Sequence, residues 1–148
     1  MTDIAMCATT SNVLQGLQAR VGKFDTVTSS ISGYEMLSVF GKLTGVCKIV
    51  NMAPTEYVTD LSLGYDEVGV NQIQITTSAG QILAMGTPST STFSVVKPMK
   101  FTELVQLIGF YGTATGTIKS LAQIVVNTNC TIPAPVVIIP IPVPKPRI

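Results

Sequence analysis

Over residues 70–77 the side chains alternate. Ile73, Ile75 and Thr77 fall on one face of an extended chain, and Gln72, Gln74 and Thr76 fall on the other. A period of two with one apolar side predicts a strand with one face in a core and one in water. Less regular runs of β-branched and aromatic residues recur at 27–31, 34–40, 46–52, 57–63, 81–85, 93–96, 104–110 and 117–126. Turn signals separate them, at Ser32-Gly33, at 41–45, 64–69 and 78–80, and at Lys97-Pro98-Met99-Lys100. One stretch departs from the pattern. Val13, Leu14 and Leu17 have helical spacing, with Ser11 or Asn12 as a cap and Gly22 as a stop, which predicts a short helix within an N-terminal segment 1–22. Short strands between regular turns otherwise imply an all-β sandwich, barrel or prism.

The last of these runs form a hairpin around a small-residue middle. Gly109, Gly112 and Gly116 recur close together, and residues 112–116 read as a loop that presents backbone amides and threonine hydroxyls. Backbone at such a tip can approach a polar ligand closely, or it can be a plain turn. A second loop, 64–69, holds the densest acidic pair, Asp66 and Glu67.

Composition narrows the chemistry. Charged residues make up 11% of the 148-residue chain, against roughly 25% in an average soluble domain. The net charge of +1 gives no field to steer the protein to nucleic acid, and no run is long enough to span a bilayer. The chain has no histidine, which excludes histidine-based triads and histidine-containing zinc sites. Asp66 and Glu67 are neighbours in a loop, not a pair across a cleft, so neither an enzyme nor a calcium site is implied, and no cofactor is called for. The three cysteines, Cys7, Cys47 and Cys130, are too far apart for a Cys-x-x-Cys motif. In an oxidising setting Cys130 is expected to pair with Cys7, the other terminal cysteine, in preference to Cys47. Asn129 opens an Asn-x-Thr glycosylation triplet. Residue 1 is not followed by a basic and then an apolar stretch, so the chain is either intracellular or begins after a processing site. An extracellular or cell-surface location, with the signal already removed, is the expectation.

Residues 131–148 stand apart. Six of the nine prolines lie here, alternating with Val and Ile, so the segment is expected to be extended and apolar. Val136, Val137, Ile138, Ile139, Ile141 and Val143 form a candidate assembly element, able to dock on another copy or to wrap over its own domain.

Several pieces of the chain resemble the jacalin-related lectins. Gly109-Phe110-Tyr111-Gly112, then Gly116, then Ile118-Lys119-Ser120-Leu121 is similar to that family's last hairpin. Upstream, Val46-Cys47-Lys48-Ile49-Val50 followed by Pro54-Thr55-Glu56-Tyr57-Val58 resembles a family strand and its Pro-x-Glu-Tyr lead-in to the next. Ile73-Gln74-Ile75-Thr76-Thr77 and Met85-Gly86 continue the match, which spans about residues 46–126 and leaves the first 45 unmatched. The resemblance implies a β-prism of three Greek-key four-stranded sheets over residues 23–130, followed by the extended tail. It also implies a non-enzymatic carbohydrate-binding module, with Thr115, Gly116, Thr117, Ile118 and Lys119 at one loop and Asp66 and Glu67 at the loop beside it. Family sites use an Asp just after the last hairpin's Gly. Here Lys119 or Ser120 takes that place, so the acceptor carboxylate is missing and the site reads as degraded. The alternative is a self-assembling structural subunit joined through its tail. The partners implied are a glycan or other copies of the chain in a homo-oligomer.

Overall fold

The computed structural model describes residues 1–25, 27, 28 and 30–128, and among these it contains eleven strands and no helix. The strands are β1 (Asp3–Ala8), β2 (Leu14–Asp25), β3 (Ser30–Met36), β4 (Phe40–Gly41), β5 (Val46–Asn51), β6 (Val58–Tyr65), β7 (Val70–Thr77), β8 (Ile82–Gly86), β9 (Val95–Lys100), β10 (Val105–Ala114) and β11 (Ile118–Asn127). They form three antiparallel sheets. The first runs β3-β2-β1-β5 with β4 also on β2, and the second runs β8-β7-β6-β9. In each, three consecutive strands are followed by one that returns beside the first, which is a Greek key. The third sheet is the β10-β11 hairpin. The architecture is a β-prism. Its sheets hold five, four and two strands among the described residues, where four in each were expected.

Period-two burial builds the interior. Leu61 and Leu63 on β6, Ile73 and Ile75 on β7, and Leu83 and Met85 on β8 turn inward together. Ile4, Met6 and Leu17 meet them from the first sheet, and Leu107, Phe110 and Ile118 from the hairpin. The alternation at residues 70–77 therefore has the predicted sense: Ile73, Ile75 and Thr77 are buried.

The expected helix is replaced by β1 and β2, and the first 22 residues belong to the domain. The reason lies in one bulge. Cys7 is opposite Gly16 and Ala8 is opposite Leu14, so Gln15 is an extra residue on β2. The bulge shifts the phase of the strand, and Leu14 and Leu17 both enter the core although they are three apart. A bulged strand here imitates helical spacing. Two turn readings change similarly. Ser32 and Gly33 lie within β3, at an irregularity in its pairing with β2 where Gly33 takes a positive φ of 62°. Residues 97–100 belong to β9, whose Pro98 is accommodated because β9 is an edge strand paired only with β6.

Cys7 is bonded to Cys47, not to Cys130, because β1 and β5 place the two directly opposite each other with Cα atoms 4.0 Å apart. Cys130, Asn129 and the whole tail lie outside the described residues.

The bond closes a 40-residue separation, and restricting the unfolded chain to that extent is worth about 3–4 kcal/mol. Cys47→Ser should lower the unfolding free energy in urea by that amount. A loss under about 1 kcal/mol, or a Cys7–Cys130 cross-link in non-reduced peptide maps, would contradict the pairing.

Candidate functional site

Four chain segments converge at one end of the prism. The first is the β1–β2 connection. Asn12 takes a positive φ of 61°, a conformation asparagine tolerates better than most residues. There its side chain clamps the end of β8: Nδ2 donates to the Gly86 carbonyl at 2.9 Å and Oδ1 accepts from the Gly86 amide at 3.1 Å. The Thr87 hydroxyl donates in turn to the Asn12 carbonyl at 3.0 Å.

The second and third segments are the β6–β7 loop and the β10–β11 tip. They touch backbone to backbone. A Cβ on Gly69, whose φ is +153°, would lie 2.5 Å from the Ile118 carbonyl oxygen. Only glycine allows that approach. The two loops that the sequence marks as candidates are thus brought together.

Between these segments lies a cleft of about 270 Å³. Val13, Leu14, Val68, Val70 and Ile118 give it apolar walls, and Asp66, Asn71, Thr87 and Thr117 supply polar groups. On the other side of Asp66 a second groove of about 230 Å³ runs along residues 119–123 of β11, facing Lys97 and Met99 of β9.

Asp66 organises the β6–β7 loop. Its Oδ1 accepts from the amides of Val68 at 2.9 Å and Gly69 at 3.3 Å, and its Oδ2 accepts from the Ser89 hydroxyl. The Ser89 hydroxyl and the Val68 amide hold its carboxyl below the usual carboxylate range. Three donors leave room on the carboxylate for about one more. Glu67 turns away from the cleft and accepts from the Ser91 hydroxyl at 2.8 Å.

Asn71 is the residue the sequence reading missed. Both polar atoms of its carboxamide are buried without a hydrogen bond of normal geometry, with Oδ1 facing Gly64 and the side chain close enough to Asp66 to help hold its carboxyl low. It sits where the β6–β7 register shifts, beside Gly64 and Tyr65. With no accessible area on either atom, the carboxamide does not meet a ligand itself and acts by supporting Asp66 within the cleft wall. The available signal was a polar residue placed next to Val70 at the mouth of a strand, against the grain of the apolar run that follows. Asn12, expected as a helix cap, instead stands in a strand connection, and Thr87 becomes part of the site only through its bond to Asn12. The Ser/Thr/Asn cluster at 9–12 is a turn signal that could have placed them.

The predicted site residues separate into groups. Asp66, Thr117 and Ile118 line the cleft. Lys119 is exposed and lines the second groove near Lys97. Thr115 and Gly116 form the outer turn, closed by the Thr115 amide donating to the Thr117 carbonyl at 3.0 Å. Ser120 is already engaged, accepting from the Thr113 amide at 3.1 Å and sharing a hydrogen bond with its hydroxyl. The position where a carboxylate was sought therefore holds no free acceptor. Among the described residues no three Asp, Glu, Cys or His side chains gather as a metal site, and no helix is long and apolar enough to cross a membrane.

No curated protein matches the sequence significantly. Solved structures do resemble the fold. A mannose-binding jacalin-related lectin from Ananas comosus aligns with a TM-score of 0.65 at 11% identity, over 85% of this chain and 81% of its own. The Calsepa lectin in complex with a biantennary N-glycan gives 0.63 at 16% identity, over 86% and 83%. The lectin MPA complexed with T-antigen disaccharide gives 0.59 at 16% identity, over 84% and 90%. At these identities the likeness concerns the fold. The sequence itself matches the model of the jacalin-like lectin domain over residues 8–124, which takes in β2 to β10, most of β11 and every segment around the cleft. The chain belongs to the jacalin-like lectin domain family.

Proposed function

We propose that this lectin domain is a non-enzymatic sugar binder whose acceptor groups lie on the β6–β7 side of the cleft, not at the last hairpin. The observation that carries this reading is the Asp66 carboxylate in the cleft wall, held ionised and oriented by Ser89 and by the Val68 and Gly69 amides. A pyranose offers vicinal hydroxyls. One can donate to the remaining capacity of Asp66 while its neighbour meets the Thr87 or Thr117 hydroxyl on the cleft wall. Val13, Leu14, Val68 and Val70 suit the C–H face of the ring. Solved relatives of the same fold hold a biantennary N-glycan and the T-antigen disaccharide, so both mannose-type and galactose-type sugars belong in the first panel tested. Lys119 is a donor-only side chain in the neighbouring groove and plays a minor part.

After a glycan array identifies a ligand, calorimetry separates the roles. Losing a hydrogen bond to a charged acceptor costs about 1.5–3 kcal/mol, so Asp66→Ala should weaken binding about tenfold to a hundredfold. Asn71→Ala removes a group that acts only through Asp66 and should weaken binding less than Asp66→Ala does. Lys119→Ala should change affinity less than about twofold. Unchanged affinity in Asp66→Ala would overturn the assignment.

A pH titration gives a second check. The Asp66 carboxyl is depressed in the folded state, so its carboxylate interactions are intact above the free-acid value of about 3.9 and are lost as pH falls through the lower folded value. With no histidine to titrate, affinity should stay flat from pH 7 to about 4 and fall only below that. A drop between about pH 6 and 5 would exclude Asp66 as the acceptor.

A further inference from the structure

The β10–β11 hairpin is the incomplete sheet of the prism. The other two close Greek keys, whereas β10 and β11, ten residues each, pair only with one another among the described residues. Leu104, Ile124, Val125 and Val126 are left 39–52% exposed toward its open end. A long apolar edge of this kind is a template for another strand. The groove beside it is bounded by residues 119–123 of β11 and by Lys97 and Met99 of β9, and β9 is also an edge strand.

The chain supplies an occupant. β11 ends at Asn127, the Thr128 amide is tied to the Leu104 carbonyl at 2.7 Å, and residues 129–148 follow from that point. Their sequence has a period of two. Pro140, Pro142, Pro144 and Pro146 occupy even positions, while Ile139, Ile141, Val143, Lys145 and Arg147 keep their amides at odd ones. In an extended strand, residues two apart direct their N–H groups to the same edge and their side chains to the same face. All the donors of residues 139–147 therefore lie on one edge, and the other edge is proline. Such a strand can pair on one side only and ends the sheet on the other. Val137, Ile139, Ile141 and Val143 share the face that accompanies the donor edge.

We propose that residues 136–143 return antiparallel along the free edge of β11 in the same molecule, with the odd-numbered amides bonded to β11 and the proline edge turned outward. A connection of about four to six residues, starting after Thr128 and including Pro133, brings residues 136–139 beside residues 121–125. Ile139 and Ile141 then lie over the groove. The molecule's own edge is the favoured partner because a short connection holds the segment at millimolar effective concentration. The groove it covers shares Asp66 and Val70 with the sugar cleft but lies on the opposite side of Asp66, so the hydrogen-exchange test is read without added sugar.

Hydrogen exchange on the full chain at low concentration tests it. The alternate β11 amides that point away from β10 should exchange at least about tenfold more slowly than in the full-length double variant Ile139→Pro/Ile141→Pro, which places prolines on the donor edge. Ile138→Pro, which only extends the proline edge, should keep the protection. If the double variant does not fold, the wild-type pattern and Ile138→Pro decide the matter. Outward β11 amides exchanging as fast as loop amides in the wild type would overturn the proposal, as would equal loss in Ile138→Pro. Protection that appears only as light scattering shows a dimer would assign the edge to a second copy's tail and overturn pairing within one molecule.

Discussion

The β6–β7 and β10–β11 hairpins meet because their inner faces enter one interior. Leu61, Ile73 and Ile75 come from the first, and Leu107, Phe110 and Ile118 from the second. Burying each such side chain is worth about 1.5–3 kcal/mol, and together they outweigh the hydrogen bonds in the loops above them. The loops therefore go where the core sends them. Ile118 makes the link concrete, since it is both 1% exposed in the core and part of the cleft. Gly69 then permits the last approach, its missing side chain leaving room for the Ile118 carbonyl. The site is a consequence of packing, set on strand ends and not on free loops.

That placement explains how a lectin domain can lack the carboxylate of its last hairpin and still present an acceptor-rich cleft. Lys119 and Ser120 are on the wrong side of β11 or already engaged. Asp66 is held by Ser89 and by two backbone amides, so it is ionised and oriented before any ligand arrives. Asn12, fastened to Gly86, fixes the opposite wall. In the proposed reading the acceptor lies across the cleft from the last hairpin, on the β6–β7 loop.

The residues that revealed themselves in the sequence were those whose local pattern agrees with the fold. Ile73 and Ile75 alternate cleanly with glutamines, and Gly112 and Gly116 mark the last hairpin, although β10 runs through Gly112 as far as Ala114. Leu14 and Leu17 misled because a bulge at Gln15 gave strand residues a helical interval. The Cys7–Cys47 bond was hidden for the same reason: it follows from β1 lying beside β5, a pairing between strands far apart in the chain. Asn71 could not be singled out from composition. Its burial beside Asp66 follows from the register shift between β6 and β7, which only the surrounding strands disclose.

The central claim is that a sugar occupies the cleft between the β6–β7 loop and the β10–β11 tip. Backbone NMR of the labelled chain, titrated with mannose-type and galactose-type ligands, tests it directly. The account predicts that shifts concentrate at Val68, Gly69, Asn71, Thr117 and Ile118, with Val13 and Thr87 following. Shifts centred on Lys119 and the second groove, or none at these residues with any bound sugar, would contradict it.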